Sequence, residues 1–234
     1  MALPKLNTSP SYTTKVPSTG QSITYRPYLV KEEKVLMIAF ETGEQKQALG
    51  AIVDTLSACI TEDVDTKSLT TFDIEYLFTQ VRSKSVGEVS TIVLTCSSCK
   101  TKNEVDVEIS SIEVDMPEKS NVIPLTDTIS VEMKYPSYTD IVALDLEGNE
   151  TELGFAMLSK CMAAIQTEEE RIDTKDVSEK ELQEFIEQMT SEQFQEVSKF
   201  LQDLPSLKKE VTYPCMSCGE TNTYTLKGIN DFLS

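Results

Sequence analysis

No histidine occurs anywhere in the 234 residues of this chain. That absence removes the commonest general base, the Ser-His and Cys-His dyads, and every histidine-containing metal site. Cations are also scarce: 21 Lys and Arg stand against 39 Asp and Glu, a formal net charge of −18. A field of that sign repels phosphate backbones and anionic membrane surfaces, and no basic patch is dense enough to reverse it. Direct nucleic-acid binding and membrane insertion are therefore not expected. No apolar run approaches the length needed to span a bilayer. Met1 to Thr24 is polar and Ser/Thr-rich, without the apolar centre of a signal peptide. The expected setting is a reducing cytoplasm, where paired cysteines favour metal over disulfide. Walker loops, dinucleotide fingerprints and G-x-S-x-G elbows are missing too.

What is present suffices for a core: 39% apolar residues, including 8 Phe and 8 Tyr. Residues 1–22, with Pro4, Pro10, Pro17 and Gly20 among Ser and Thr, read as an extended N-terminal arm. A helical region is expected over 23–87. In it, Val35 to Phe40 reads as a helix buried on most sides and ended by Gly43. Leu49, Ile52, Val53, Leu56, Cys59 and Ile60 share one helical face. Thr70 or Thr71 caps a third helix, with Ile74, Leu77, Phe78 and Val81 as its buried stripe.

The period then changes. Val89 to Thr95 is β-branched, and Val105, Val107 and Ile109 alternate with Glu104, Asp106 and Glu108, which predicts a hairpin over 88–115. A strand-rich connection over 116–149 carries the alternating Ile129, Val131, Met133 and Tyr135. Residues 150–205 read as an acidic helical insertion. Leu153 to Ile165 is expected to be a central helix, and Ser178 with Glu181 forms a capping box. Between Gln166 and Glu196, eleven acidic residues face only Arg171, Lys175 and Lys180, as on the solvated backs of amphipathic helices. A second hairpin occupies 206–234, with Ile229, Phe232 and Leu233 expected to dock the C-terminus.

Two cysteine turns punctuate these hairpins. Cys96-Ser97-Ser98-Cys99 and Cys215-Met216-Ser217-Cys218 share a longer frame, C-x-S-C-x-x-x-N, ending at Asn103 and Asn222. A tetrahedral Zn²⁺ takes four thiolates in a closed structural site, and two C-x-x-C turns supply them. The 115 residues between Cys99 and Cys215 far exceed the about 15–20 of an ordinary ribbon. The expected fold is thus α+β: a helical domain combined with a split Cys₄ zinc ribbon made of two distant β-hairpins. Cys96, Cys99, Cys215 and Cys218 are the expected ligands of a structural Zn²⁺. Four thiolates leave no open position for water, so the metal is not expected to be catalytic. The rival reading, a redox C-x-x-C, wants its first cysteine at a helix N-terminus, and neither copy has that setting. Asn103 and Asn222 read either as holding their own turns or as ordinary turn residues. Cys59 and Cys161, in apolar helical settings, read as buried structural thiols.

Several motifs are also familiar. Tyr25-Arg26-Pro27-Tyr28-Leu29-Val30-Lys31-Glu32-Glu33-Lys34, followed by Leu36-Met37-Ile38-Ala39, is the first. Leu69-Thr70-Thr71-Phe72-Asp73-Ile74-Glu75-Tyr76-Leu77-Phe78, continued by Arg82-Ser83-Lys84-Ser85-Val86-Gly87-Glu88, is the second. With the cysteine turns and Lys134-Tyr135-Pro136, they make roughly residues 22–230 resemble the baseplate hub and hub-assembly proteins of T-even-like contractile-tailed bacteriophages. The resemblance implies a non-enzymatic protein of virion morphogenesis, whose partners are other baseplate hub or assembly proteins. It would work in the host cell cytoplasm during assembly, or in the tail baseplate itself as a hub subunit. Lys31, Glu32, Glu33, Lys34, Arg82 and Lys84 are the expected partner contacts. Two other classes stand beside it: a zinc-ribbon transcription accessory factor binding RNA polymerase, and a thiol oxidoreductase.

Overall fold

The computed structural model describes residues 9–117, 120–144, 149–228 and 231, so Ile229, Phe232 and Leu233 lie outside the described residues. In chain order the elements are β1 (Tyr12–Lys15), β2 (Ser22–Tyr25), α1 (Val30–Glu41), α2 (Gln45–Cys59), α3 (Thr71–Val86), β3 (Val89–Thr95), β4 (Lys102–Glu108) and β5 (Glu113–Asp115). There follow β6 (Val122–Pro124), β7 (Ser130–Met133), α4 (Tyr138–Val142), α5 (Glu150–Cys161), β8 (Met162–Gln166) and β9 (Arg171–Asp173). The last are α6 (Glu179–Glu187), α7 (Ser191–Gln202), β10 (Ser206–Pro214) and β11 (Thr221–Lys227). The mixture is α+β. Two units form, one from residues 1–115 with 206–234, the other from 116–205.

In the first unit, the stretch expected as an extended arm is instead a hairpin over part of its length. β1 and β2 pair antiparallel, with Tyr12 opposite Tyr25. Val16, Ile23 and Tyr25 are buried. The turn between them is held by Asp73: the Ser18 N–H donates to Oδ1 at 2.9 Å and the Ser18 hydroxyl to Oδ2 at 2.6 Å. The same carboxylate accepts from Thr70 across the capping box that starts α3. Asp73 is fully buried, so the α3 N-terminus and the arm share one hydrogen-bonded carboxyl group.

α2 buries Ile52, Val53, Leu56 and Cys59, and α3 buries Ile74, Leu77, Phe78 and Val81, the stripes expected from their 3.6-residue spacing. α1 differs from expectation. Only Glu32, Leu36 and Ala39 turn inward; Val30 is 79% exposed, Met37 58%, Ile38 54% and Val35 50%. Composition made this helix look buried, but its apolar residues encircle it and the fold covers one narrow side.

Two further hairpins belong to this unit. β3 and β4 form one; β10 and β11 form the other, extended by β5 to the order β11-β10-β5. Alternation gives each strand one apolar face. Those faces meet in a core of Ile92, Leu94, Val107, Ile109, Ile112, Leu207, Val211, Tyr213 and Leu226, with Tyr76 of α3 packed against it. A sandwich this small gains each buried residue's transfer energy of about 1.5–3 kcal/mol, but at its far end the core thins to the cysteine turns.

The second unit carries a four-stranded antiparallel sheet in the order β6-β7-β8-β9. Its centre corrects the expectation for Leu153 to Ile165: α5 stops at Cys161, and Met162–Gln166 is strand β8. A continuous apolar run has no period that separates a buried helix from a buried strand, and pairing with β7 and β9 decided this one. Val131, Met133, Leu158, Met162, Leu182, Ile186 and Val197 form the core, with Phe155 stacked on Phe194 at 5.0 Å between centroids. α6 starts at the expected Ser178–Glu181 capping box.

Candidate metal centre

The four paired cysteines come together at the far end of the two hairpins. Each turn is built alike. The Cys96 N–H donates to the Thr101 carbonyl at 2.9 Å, and the Lys100 N–H to the Cys96 carbonyl at 3.1 Å. In the second copy the Cys215 N–H donates to Glu220 at 2.8 Å, and the Gly219 N–H to Cys215 at 2.9 Å. The residue after the second cysteine is left-handed in both, Lys100 at φ 61° and Gly219 at φ 76°. Cys96 and Cys215 continue the inward alternation of β3 and β10 and are buried; Cys99 and Cys218 sit past the turn and are exposed.

The hairpins face each other, so each thiol of one meets a thiol of the other. Cys96 Sγ lies 3.8 Å from Cys218 Sγ, and Cys99 Sγ lies 3.6 Å from Cys215 Sγ. All four sulfurs fall within 4.8 Å of one another. Disulfide sulfurs sit at about 2.05 Å, so neither cross-pair is bonded. Four thiolates at about 2.3 Å from a tetrahedral Zn²⁺ stand about 3.8 Å apart, close to the separation of these two cross-pairs. The donor set therefore fits a closed metal site.

Its electrostatics fit as well. The Thr101 hydroxyl and N–H, together with the thiol of Cys218, hold Cys99 down at about 6. Cys218 moves the other way. The Glu220 N–H lowers it, but donating to Cys99, burial and its other thiol neighbours outweigh that and push it up to about 12. Metal ligation requires thiolates, so a divalent cation binding here displaces thiol protons.

The asparagines do something the sequence did not reveal. Each holds the opposite turn. Asn103 on β4 accepts the Met216 N–H of the second turn at 2.9 Å. Asn222 on β11 accepts the Ser97 N–H of the first turn at 2.9 Å and its hydroxyl at 2.8 Å. Their amide NH₂ groups donate back to their own hairpins, at Thr101 and Glu220. Asn222 also donates to Cys96 Sγ at 3.5 Å. The two asparagines occupy equivalent registers, opposite Leu94 and opposite Tyr213, and both are buried. The repeated frame C-x-S-C-x-x-x-N was the visible signal; its crosswise use was not.

The other expected site residues lie elsewhere. Glu32 is not a surface contact. It is buried, accepts from Arg26 at 2.9 Å and from the Leu29 N–H at 2.8 Å, and so caps α1. Burial alone would raise its pKa, but those hydrogen bonds outweigh it and hold the carboxyl below the usual range. Arg26 also donates to the Ala58 carbonyl, tying the start of α1 to the end of α2. Lys84 pairs with Glu88 and lies 5.3 Å over the Tyr12 ring, and Arg82 is half-buried. Lys31 and Lys34 are exposed. Cys59 and Cys161 are buried away from the cluster, and burial pushes them up to about 11 and about 12.

The fold and the site thus define an α+β protein whose two separated hairpins close on a four-cysteine cluster able to hold a metal ion. Residues 9–234 match the family described as T4 bacteriophage base plate protein, and the chain belongs to that family. One relative is the baseplate hub assembly protein gp26 of Enterobacteria phage T4. It is 23% identical over 210 residues, which cover 90% of this chain and 91% of the relative. No solved structure matches. Membership supports a structural role in a phage baseplate and interaction with other baseplate proteins. No helix among the described residues is long and apolar enough to cross a membrane.

Proposed function

We propose that this chain is a non-enzymatic hub subunit or hub-assembly factor of a phage tail baseplate, acting through protein–protein contacts in virion morphogenesis. The observation that carries the reading is the family match over residues 9–234, together with a relative named for hub assembly. The work is done in the host cell cytoplasm while the hub is built, with the tail baseplate as destination. The acidic balance of −18 favours protein partners over nucleic acid.

A structural Zn²⁺ on Cys96, Cys99, Cys215 and Cys218 completes the proposal, making the paired hairpins a split zinc ribbon. The support is the close approach of the four sulfurs, all within 4.8 Å of one another. Bound there, the metal supplies folding free energy rather than chemistry, because four thiolates close its coordination. The cluster's share is to join sequence position 96 to 218 and so hold the turns of the two hairpins together. Lys31, Glu33 and Lys34 are proposed as hub contacts, with Arg82 and Lys84 contributing beside them.

Co-expression with the neighbouring tail genes, followed by pull-down, tests the function. Recovery of baseplate hub proteins is expected; recovery of RNA polymerase without tail proteins overturns the reading. Metal analysis of the purified protein should give close to one zinc per chain, and a clean zero removes the ribbon.

A further inference from the structure

We propose that α1 is a self-association surface on which a second copy of this chain lays its own α1 antiparallel. The starting observation is the exposed apolar side chains of this helix: Val30, Val35, Met37, Ile38 and Phe40 all lie at 41% exposure or more. Solvent contact of that extent over one short helix marks an interface rather than a solvated surface. The helix start is adjacent to more of the same, because the Tyr28 N–H donates to Ser85 at the end of α3, beside Leu29 and the exposed Val86.

The occupant follows from the charges. Leu36, Ala39 and Glu32 define the buried side, and the line opposite them runs through Lys34 and Glu41, with Met37 and Ile38 flanking its centre. Neither Lys34 nor Glu41 has an ion-pair partner among the described residues, and they stand seven residues, two helical turns, apart. A two-fold axis between Met37 and Ile38 brings Lys34 of each copy to Glu41 of the other and interleaves the Met37 and Ile38 side chains. Self-complementarity of this kind, residue i on j and j on i, is the requirement of a closed dimer. The order of the charges argues the same way. Glu41 closes the helix, where an anion opposes the macrodipole, and an antiparallel neighbour brings a lysine to that end. The net charge of −18 opposes any self-association, but this face carries one cation and one anion on its midline and is locally neutral. At physiological salt, with a screening length of about 8 Å, the distant charges count for little.

Sedimentation velocity on the full chain at 0.15 M salt is the test. A concentration-dependent dimer is expected. Lys34→Glu and Glu41→Lys should each weaken it about tenfold, since each places two like-charge pairs across the axis, and the double variant should restore it. Deuterium exchange at low and high protein concentration should show added protection confined to α1. A chain that stays monomeric at high concentration, or a dimer indifferent to both single variants with α1 unprotected, overturns the proposal. Either result leaves the hub reading untouched, because that reading rests on the family match.

Discussion

Replacing Asn222 by alanine removes the clamp that one hairpin lays across the other's turn. Asn222 makes three hydrogen bonds near normal length: from the Ser97 N–H at 2.9 Å, from the Ser97 hydroxyl at 2.8 Å, and to the Glu220 carbonyl at 3.0 Å. At a net value of about 1 kcal/mol each, and with exposed Ser97 able to regain part from water, the loss is about 2 kcal/mol. For a chain of this length that is a fall in melting temperature of about 4–8 °C. Asn103→Ala should cost somewhat less, because it gives up only one bond to the opposite turn, that of Met216. Urea unfolding followed by circular dichroism measures both, and the double variant gives their coupling. The two residues brace one cluster, so the combined loss should fall short of the sum by about 0.5 kcal/mol or more. Asn222→Asp is the informative control. It keeps the acceptor but sets a carboxylate against Cys96 Sγ, now 3.5 Å from an amide donor, and should destabilise at least as much as alanine. Losses under about 0.5 kcal/mol for both alanine variants, the range of ordinary surface changes, would falsify the crosswise clamp.

Three further outcomes are expected. Cys99→Ala and Cys218→Ala should each abolish zinc binding and lower stability alike, since each removes a ligand of one site; retention of full zinc and stability by either variant rules out the shared site. Lys100→Gly should stabilise by about 1 kcal/mol, because Lys100 holds φ 61° where its counterpart is already Gly219; a loss of stability in urea unfolding would mean that its bond to the Ser97 carbonyl outweighs the strain. Glu32, whose carboxyl is depressed in the fold, contributes stability that is complete above the unfolded value of about 4.3 and lost as pH falls through the lower folded value. Glu32→Gln should reduce the acid-side slope in unfolding measured against pH, the remainder belonging to Glu62, Glu132, Glu179 and Glu181; an unchanged slope would exclude Glu32 from it.

Much of the local architecture was legible. Ser178 started the helix it was expected to start, and of the two threonines expected to cap α3 it is Thr70 that does, because a capping side chain and its partner three residues on act within one turn. The hairpins of β3–β4 and β10–β11 were visible in alternation, and the cysteine turns in their spacing. What was misread depended on partners distant in sequence. Residues 1–22 looked like an extended arm because the anchor of the turn at Ser18, Asp73, lies in another element. Met162–Gln166 looked helical because its apolar run carries no period, and only the flanking strands fixed it. Glu32 looked like surface charge because the α1 face that buries it is set by packing on the rest of the fold, although its partner Arg26 is only six residues away.

The sequence by itself determined the ligand chemistry of this protein. Without histidine, a metal here would be left with thiolates and carboxylates, and two matched C-x-x-C turns offer four thiolates. Tertiary structure alone decided that the four would meet, that each asparagine would brace the turn it does not belong to, and that α1 would keep its apolar side chains in solvent. The reason is physical: turns and caps close within a few residues, whereas the cluster joins groups more than a hundred residues apart, and only packing of the two hairpin faces sets that distance.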